Sequence, residues 1–162
     1  MNKILILLFI STFLFSCAEK TPFDKGEPAP KFETTDVVGN TQTIEQHTKN
    51  GKTVMLYFWA DWCPTCKQEF PETEKYYQKL QKDGLEILAI NVKQPKEASE
   101  KFKEQFGSTF PMLIDADGKI SDLYKVEELP TNFFIDEEGK IIRKIVGWVS
   151  EQQAEVILKQ QK

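Results

Sequence analysis

Two of the three cysteines in this 162-residue chain, Cys63 and Cys66, bracket Pro64-Thr65 in a Cys-x-x-Cys spacing. A thiolate is the attacking species in thiol–disulfide exchange, and a second thiol close by can resolve the mixed disulfide that forms. The pair lies between an apolar run, residues 54–60, and a segment of helical periodicity that begins near Pro64. Pro64 suits a first helical position, where its missing N–H costs nothing. On the helical wheel Cys66, Phe70, Thr73, Tyr77 and Leu80 form one stripe, so Cys66 faces the core. Cys63 falls a turn earlier, at the helix tip and nearer solvent, where free N–H groups and the helix dipole favour a thiolate. Cys63 is therefore the expected nucleophile and Cys66 the resolving thiol.

Two other uses of the pair compete with this reading. An inert staple would gain little, because the entropic stabilisation from a disulfide grows with the length of the loop it closes. A metal site lacks ligands: no second cysteine pair exists, and the only histidine, His47, lies in a polar stretch expected to be exposed. Asp115 and Asp117 do not make a calcium loop, since Leu113 would occupy its first ligand position. No metal and no cofactor are expected. The net charge of -4 leaves no basic field for phosphates, which argues against nucleic-acid binding.

The elements that must hold the thiols follow from periodicity. Residues 54–60 read as a strand buried on both faces, residues 64–82 as a helix, and residues 85–92 as a second buried strand. Together they predict a right-handed parallel strand–helix–strand unit. Upstream, residues 31–44 hold the turn signal Val38-Gly39-Asn40 between two short strand-like pieces and predict a peripheral hairpin. Downstream, Ala98, Phe102 and Phe106 predict a helix that stops before Gly107. A short strand at 112–114, a short helix around 120–124 and a hairpin of strands 132–135 and 140–146 follow. The last helix presents Ala154, Ile157 and Leu158. Residues 113–120 and 134–141 echo each other through Asp115-Ala116-Asp117-Gly118 and Asp136-Glu137-Glu138-Gly139, the same turn chemistry used twice.

A length of 162 residues, 40% of them hydrophobic, suits one domain with a substantial core. The third cysteine follows a leader. Lys3, an apolar run over residues 4–15 broken only by Ser11-Thr12, and the small residue Ser16 are the parts of a secretory signal. The run is too short to span a bilayer, which takes about 20 apolar residues. Leu14-Phe15-Ser16-Cys17 resembles a bacterial lipobox, in which the cysteine receives diacylglycerol and the chain is cut before it. An ordinary signal peptide with a chance cysteine is the alternative, and an unpaired thiol in a secreted protein argues against it. Residues 1–16 are thus expected as a lipoprotein signal peptide. Residues 17–30, with Pro22, Gly26, Pro28 and Pro30 among charges, are expected as lipid anchor and flexible tether, and 31–162 as the folded domain.

Tyr57-Phe58-Trp59-Ala60-Asp61-Trp62-Cys63-Pro64-Thr65-Cys66 resembles the active-site segment of thioredoxin-fold proteins. The continuation Lys67-Gln68-Glu69-Phe70-Pro71, with Leu129-Pro130-Thr131 before Phe133-Phe134-Ile135-Asp136, is similar to the TlpA/ResA branch of membrane-anchored extracytoplasmic oxidoreductases. The resemblance runs from about Lys31 to the C-terminus. It implies an α/β thioredoxin fold with an N-terminal β-hairpin and a helix–strand unit inserted between the βαβ and ββα halves. On frequency alone Leu129–Pro130 would be trans, since about 5–6% of X–Pro bonds in folded proteins are cis. The resemblance implies a cis bond, with Pro130 beside Cys63 on the surface where a substrate backbone docks. It also implies that Glu69 sits near the thiols and affects their proton chemistry; a solvated helix glutamate is the alternative reading. Thioredoxins carry a buried aspartate six residues before Cys63, and ResA-like relatives often an asparagine. Tyr57 stands there in this chain, so proton transfer to Cys66 needs another group or water. Trp59 is expected in the core, Trp62 on the substrate face, and Lys67 in solvent.

These readings converge on a lipid-anchored thiol–disulfide oxidoreductase at the extracytoplasmic face of the cell membrane, working as a reductase of protein disulfides. The resemblance further implies apocytochrome c as substrate and a CcdA-like membrane protein as reductant. A thiol oxidase or peroxidase of the same fold is the second enzymatic reading; the direction of exchange is not fixed by the motif, and peroxiredoxins place a threonine before a single peroxidatic cysteine, which this motif does not match. A Sco-like copper-binding lipoprotein is the reading from another class. It needs a Cys-x-x-x-Cys spacing and a distant histidine, whereas here the spacing is shorter and His47 precedes the motif.

Overall fold

The computed structural model describes residues 23–161. The leader, Cys17 and the first part of the expected tether lie outside the described residues. A five-stranded sheet of order β5-β4-β3-β6-β7 forms the centre. β3 (Thr53–Trp59), β4 (Leu85–Val92) and β5 (Met112–Asp115) run parallel, while β6 (Thr131–Ile135) and β7 (Ile141–Val146) add antiparallel neighbours. α1 (Ile44–Thr48), α2 (Pro64–Leu80), α3 (Lys96–Phe106), α4 (Lys119–Leu123) and α5 (Glu151–Lys159) complete the order. This is the expected thioredoxin arrangement, with α3 and β5 as the inserted unit.

β3 is central, and its alternating side chains feed two cores. Met55, Tyr57 and Trp59 pack with Cys66, Phe70, Phe102 and Ile157 on one face. Val54, Leu56 and Phe58 pack with Ile44, Ile120 and Tyr124 on the other. Every member of the α2 stripe is buried as its spacing predicts. Trp59 is in the core, its ring 4.2 Å from that of Phe102.

β1 (Glu33–Thr35) and β2 (Thr41–Thr43) form the peripheral hairpin. It attaches beside β5 through an Asp36–Leu113 bridge and the Val37 amide bonded to the Met112 carbonyl. The Asp36 carboxylate accepts the Val38 and Asn40 amides and so closes the turn. The two echoing segments do share a turn: the Gly118 and Gly139 amides bond back to the Asp115 and Asp136 carbonyls, with both glycines at positive φ. Their exits differ. The Asp115 carboxylate accepts the Ile120 and Ser121 amides in the first turn of α4, whereas the Asp136 carboxylate accepts Glu138 and Lys140 amides and leads into β7.

Two expectations are corrected. From Phe23 onward the expected tether is docked against the domain. Gly26 and Ile141 exchange backbone hydrogen bonds with their neighbours across the edge, Gly26 N–H to the Ile141 carbonyl and Ile141 N–H to the Glu27 carbonyl, both at 2.8 Å. Phe23 packs on Tyr124 and Phe133, and Tyr124 Oη donates to the Pro30 carbonyl. β7 is an edge strand whose free backbone groups need partners, and a proline-bearing segment can supply them where it could not join a sheet interior. His47 is the second case. It lies in α1, half-buried, with Nδ1 3.6 Å from Glu86 Oε2 and Nε2 3.1 Å from Gln42 Oε1. Glu86 is a buried carboxylate held by Lys52 at 2.6 Å and by the Tyr77 hydroxyl at 2.9 Å. Burial pushes its carboxyl up, but the hydrogen bonds from His47, Lys52 and Tyr77 outweigh this and bring it down to about 2.

Candidate active site

β3 ends at Trp59, and Cys63 is the N-cap residue of α2, with extended backbone at φ -79° and ψ 111°. Pro64 takes the first helical position as expected. Cys63 and Cys66 are joined in a disulfide, with their Cα atoms 5.3 Å apart. The Cys66 amide donates to Cys63 Sγ at 3.1 Å, so the sulfur serves as the helix cap. That places Cys63 Sγ at the positive end of the helix dipole, against an N–H that no helical carbonyl satisfies. Cys63 is less exposed than its place at the helix tip suggests: 3% of its surface is accessible against none of Cys66. Sealing by the disulfide and the cap replaces contact with solvent, though the ranking of the two sulfurs is retained.

The Leu129–Pro130 bond is cis. Thr131 pairs with Phe58 across β6 and β3, so the register carries Pro130 to the strand end that leads into the Cys63 turn. Trp62 is 66% exposed at the same rim, and Lys67 is exposed. A cleft of about 380 Å³ lined by Gly51, Thr53, Gly84 and Glu137 opens at the opposite end, where β3 and β4 begin. The disulfide therefore lies away from this cleft, at the rim that carries the exposed Trp62. Among the described residues no group of three or more His, Cys, Asp or Glu side chains is placed to hold a metal ion.

Glu69 is buried, one turn beyond Cys66, and is not a solvated helix glutamate. Burial pushes its carboxyl up to about 7, with the Tyr57 hydroxyl pulling the other way. In this oxidised state neither Tyr57 Oη nor Glu69 Oε2 completes a well-aligned hydrogen bond among the described residues.

Two residues of the rim escaped the sequence reading. Gln94, just after β4, clamps the active-site turn: its Oε1 accepts the Asp61 amide at 2.8 Å and its Nε2 donates to Asp61 Oδ1 at 2.5 Å. Trp148 follows β7, is 45% exposed, and adjoins Gly147, whose amide bonds to the Pro130 carbonyl at 2.8 Å. Strand direction was the available signal, because β4 and β7 must both end at the rim where β3 ends.

Residues 25–144 match the AhpC/TSA family. The chain belongs to the AhpC/TSA family. Among relatives of this family member, thiol-disulfide oxidoreductase ResA of Geobacillus kaustophilus is 40% identical over 137 residues, covering 85% of this chain and 78% of its own. The protein of the same name from Bacillus subtilis is 38% identical over 134 residues, covering 83% of this chain and 74% of its own. Among solved structures, a thiol:disulfide interchange protein DsbE from Chlorobium tepidum superposes with a TM-score of 0.76 at 32% identity, covering 84% of this chain and 99% of that one. StoA from Bacillus subtilis gives 0.68 at 27% identity, covering 82% and 98%. With its Cys63–Cys66 disulfide, this AhpC/TSA family member is a thiol–disulfide oxidoreductase of the ResA/DsbE type, acting on protein disulfides.

Proposed function

We propose that the enzyme is a lipid-anchored reductase of protein disulfides outside the cytoplasmic membrane. The single observation that carries the mechanism is the capped sulfur: Cys66 N–H on Cys63 Sγ at the N-terminus of α2. In the reduced enzyme that amide and the helix dipole stabilise a Cys63 thiolate. The thiolate attacks one sulfur of a substrate disulfide; the new bond joins Cys63 to the substrate, and the other substrate sulfur leaves as a thiolate and is protonated. Cys66, giving up its proton, attacks Cys63 Sγ and expels the second substrate sulfur. Two electrons pass to the substrate, and the Cys63–Cys66 disulfide remains. Pro130, without an N–H, shapes the docking surface beside the thiols. No cofactor is required, because the sulfurs carry the electrons.

A membrane dithiol, of the kind a CcdA-like protein presents, returns the pair to its reduced form. The cysteines of apocytochrome c before haem attachment are the substrate this reading favours, following the resemblance of residues 57–71 and 129–136. Cys17 in its lipobox supplies the anchor, and the signal peptide of residues 1–16 the export. Equilibration with glutathione tests the direction of electron flow. A potential near the value of about -270 mV typical of thioredoxin supports reduction, and one near about -120 mV, the value of a strong protein-thiol oxidant, contradicts it. Incorporation of labelled palmitate, lost in Cys17→Ala, tests the anchor.

A further inference from the structure

We infer that Tyr57 is a positioning residue for Glu69, holding that carboxylate ready to take the proton of Cys66 when the mixed disulfide is resolved. The inference rests on the proposed exchange mechanism and adds a residue to it.

Tyr57 points from the middle of β3 into the core beneath α2, between Ala89 of β4 and Asn132 of β6 in register. It is fully buried, and its ring packs on Phe70, the neighbour of Glu69, with centroids 6.1 Å apart. A tyrosine hydroxyl completely removed from solvent normally has a partner, since an unmade hydrogen bond there costs the desolvation of the group. Tyr57 Oη has none of good geometry among the described residues, and neither has Glu69 Oε2. The two unsatisfied oxygens nevertheless act on each other electrostatically across the α2–β3 interface. A small approach satisfies both at once when Glu69 is ionised.

Charge around the pair supports this assignment. Among the described residues Tyr57 from β3 and Tyr76 from its own helix feel the Glu69 charge, and the titratable Cys66 stands one turn before it on α2. The flanking Ala89 and Asn132 carry no charge. Burial pushes the Tyr57 phenol well above its usual range, so its hydroxyl stays protonated and remains a donor at every working pH. During resolution the Cys66 S–H proton passes to the Glu69 carboxylate as the Cys66–Cys63 bond forms. The Cys63–substrate bond breaks, and the substrate sulfur leaves with the electron pair. Tyr57 neither gains nor loses a proton; its hydrogen bond keeps Glu69 ionised in a site that would otherwise protonate it.

The test follows resolution alone. Reduced full-length enzyme receives one equivalent of an aromatic disulfide, and the second thiolate release is timed against pH. Wild type should show an inflection near 7, as burial of Glu69 implies. Tyr57→Phe should move it upward by about one unit, the effect of losing a donor to a carboxylate. Glu69→Gln should lose the inflection, and the double variant should match Glu69→Gln. The carbon-13 shift of the Glu69 carboxyl provides a readout independent of turnover and should titrate higher in Tyr57→Phe. Superimposable wild-type and Tyr57→Phe profiles, or an unmoved carboxyl titration, would overturn the inference while leaving exchange intact. Failure of Cys63 to give the first thiolate release would instead overturn the exchange mechanism itself.

Discussion

The amide of Cys66 donates to Cys63 Sγ at 3.1 Å, so one sulfur is at once half of the disulfide and the cap of helix α2. Opening the disulfide should leave Cys63 Sγ beside that amide, because the N-cap position of Cys63 is set by the backbone of α2. A thiolate satisfies the amide better than a thiol does, since a charged acceptor makes the stronger hydrogen bond. The Cys63 thiol should therefore titrate at least about one unit below the usual 8.5 or so. The rate of Cys63 alkylation in Cys66→Ser against pH, with the modified peptide identified by mass, measures it. A midpoint at or above the ordinary value would show that the cap does not act on the charge.

Glu69 sets an opposite electrostatic cost. Its carboxyl stands at about 7 when folded against 4.5 when free, so the folded oxidised protein binds this proton more tightly than the unfolded chain. Stability should fall as pH rises from 4.5 to about 7 and stay low above that. Glu69→Gln should be more stable than wild type at pH 8 by about 1–3 kcal/mol and equal to it near pH 4. Guanidinium unfolding of the two oxidised proteins at both pH values gives the comparison.

Glu86 behaves in the reverse sense. Its folded value of about 2 lies below 4.5, so its contribution is full above 4.5 and disappears as pH falls toward 2. Glu86→Gln should lose about 2–3 kcal/mol at neutral pH and nothing near pH 2. The same unfolding series on this variant should therefore converge with wild type at the acid end, where the Glu69 series also converges but from the other side.

Trp62 and Trp148 expose aromatic surface at the rim where β3 and β7 end and Pro130 sits. Trp148→Ala should raise KM for a protein disulfide severalfold, in line with loss of about 1–2 kcal/mol from an aromatic contact. Its reaction with a small aromatic disulfide should be unchanged. Steady-state kinetics with the two substrate classes separates docking from chemistry.

The strand–helix–strand unit around the thiols was legible because each element carries a pure signal: residues 54–60 and 85–92 are unbroken apolar runs, and the α2 stripe repeats at helical spacing. α1 was not legible. Ile44-Glu45-Gln46-His47-Thr48 is too short and polar for a periodicity, and it forms under tertiary control with Thr43 Oγ1 capping the Gln46 amide. The docking of residues 23–30 depends on an edge strand far along the chain, which no local pattern reveals. Glu69 shows the same limit within the site. Its position on the wheel was readable, but its burial comes from the packing of α2 on β3, beside a tyrosine whose phenol only the fold brings near. Gln94 and Asp61 are 33 residues apart, and their pairing follows from two neighbouring strands ending at one rim.

Capture of a substrate on a single sulfur tests the assignment of the thiols most directly. Reduced Cys66→Ser enzyme, mixed with a disulfide-bonded protein such as insulin, should accumulate a one-to-one covalent adduct through Cys63 that a dithiol reverses. Cys63→Ser should give none, and wild type should release reduced insulin without accumulating adduct. An absence of adduct in Cys66→Ser, or equal capture by Cys63→Ser, would contradict the roles assigned to the two cysteines.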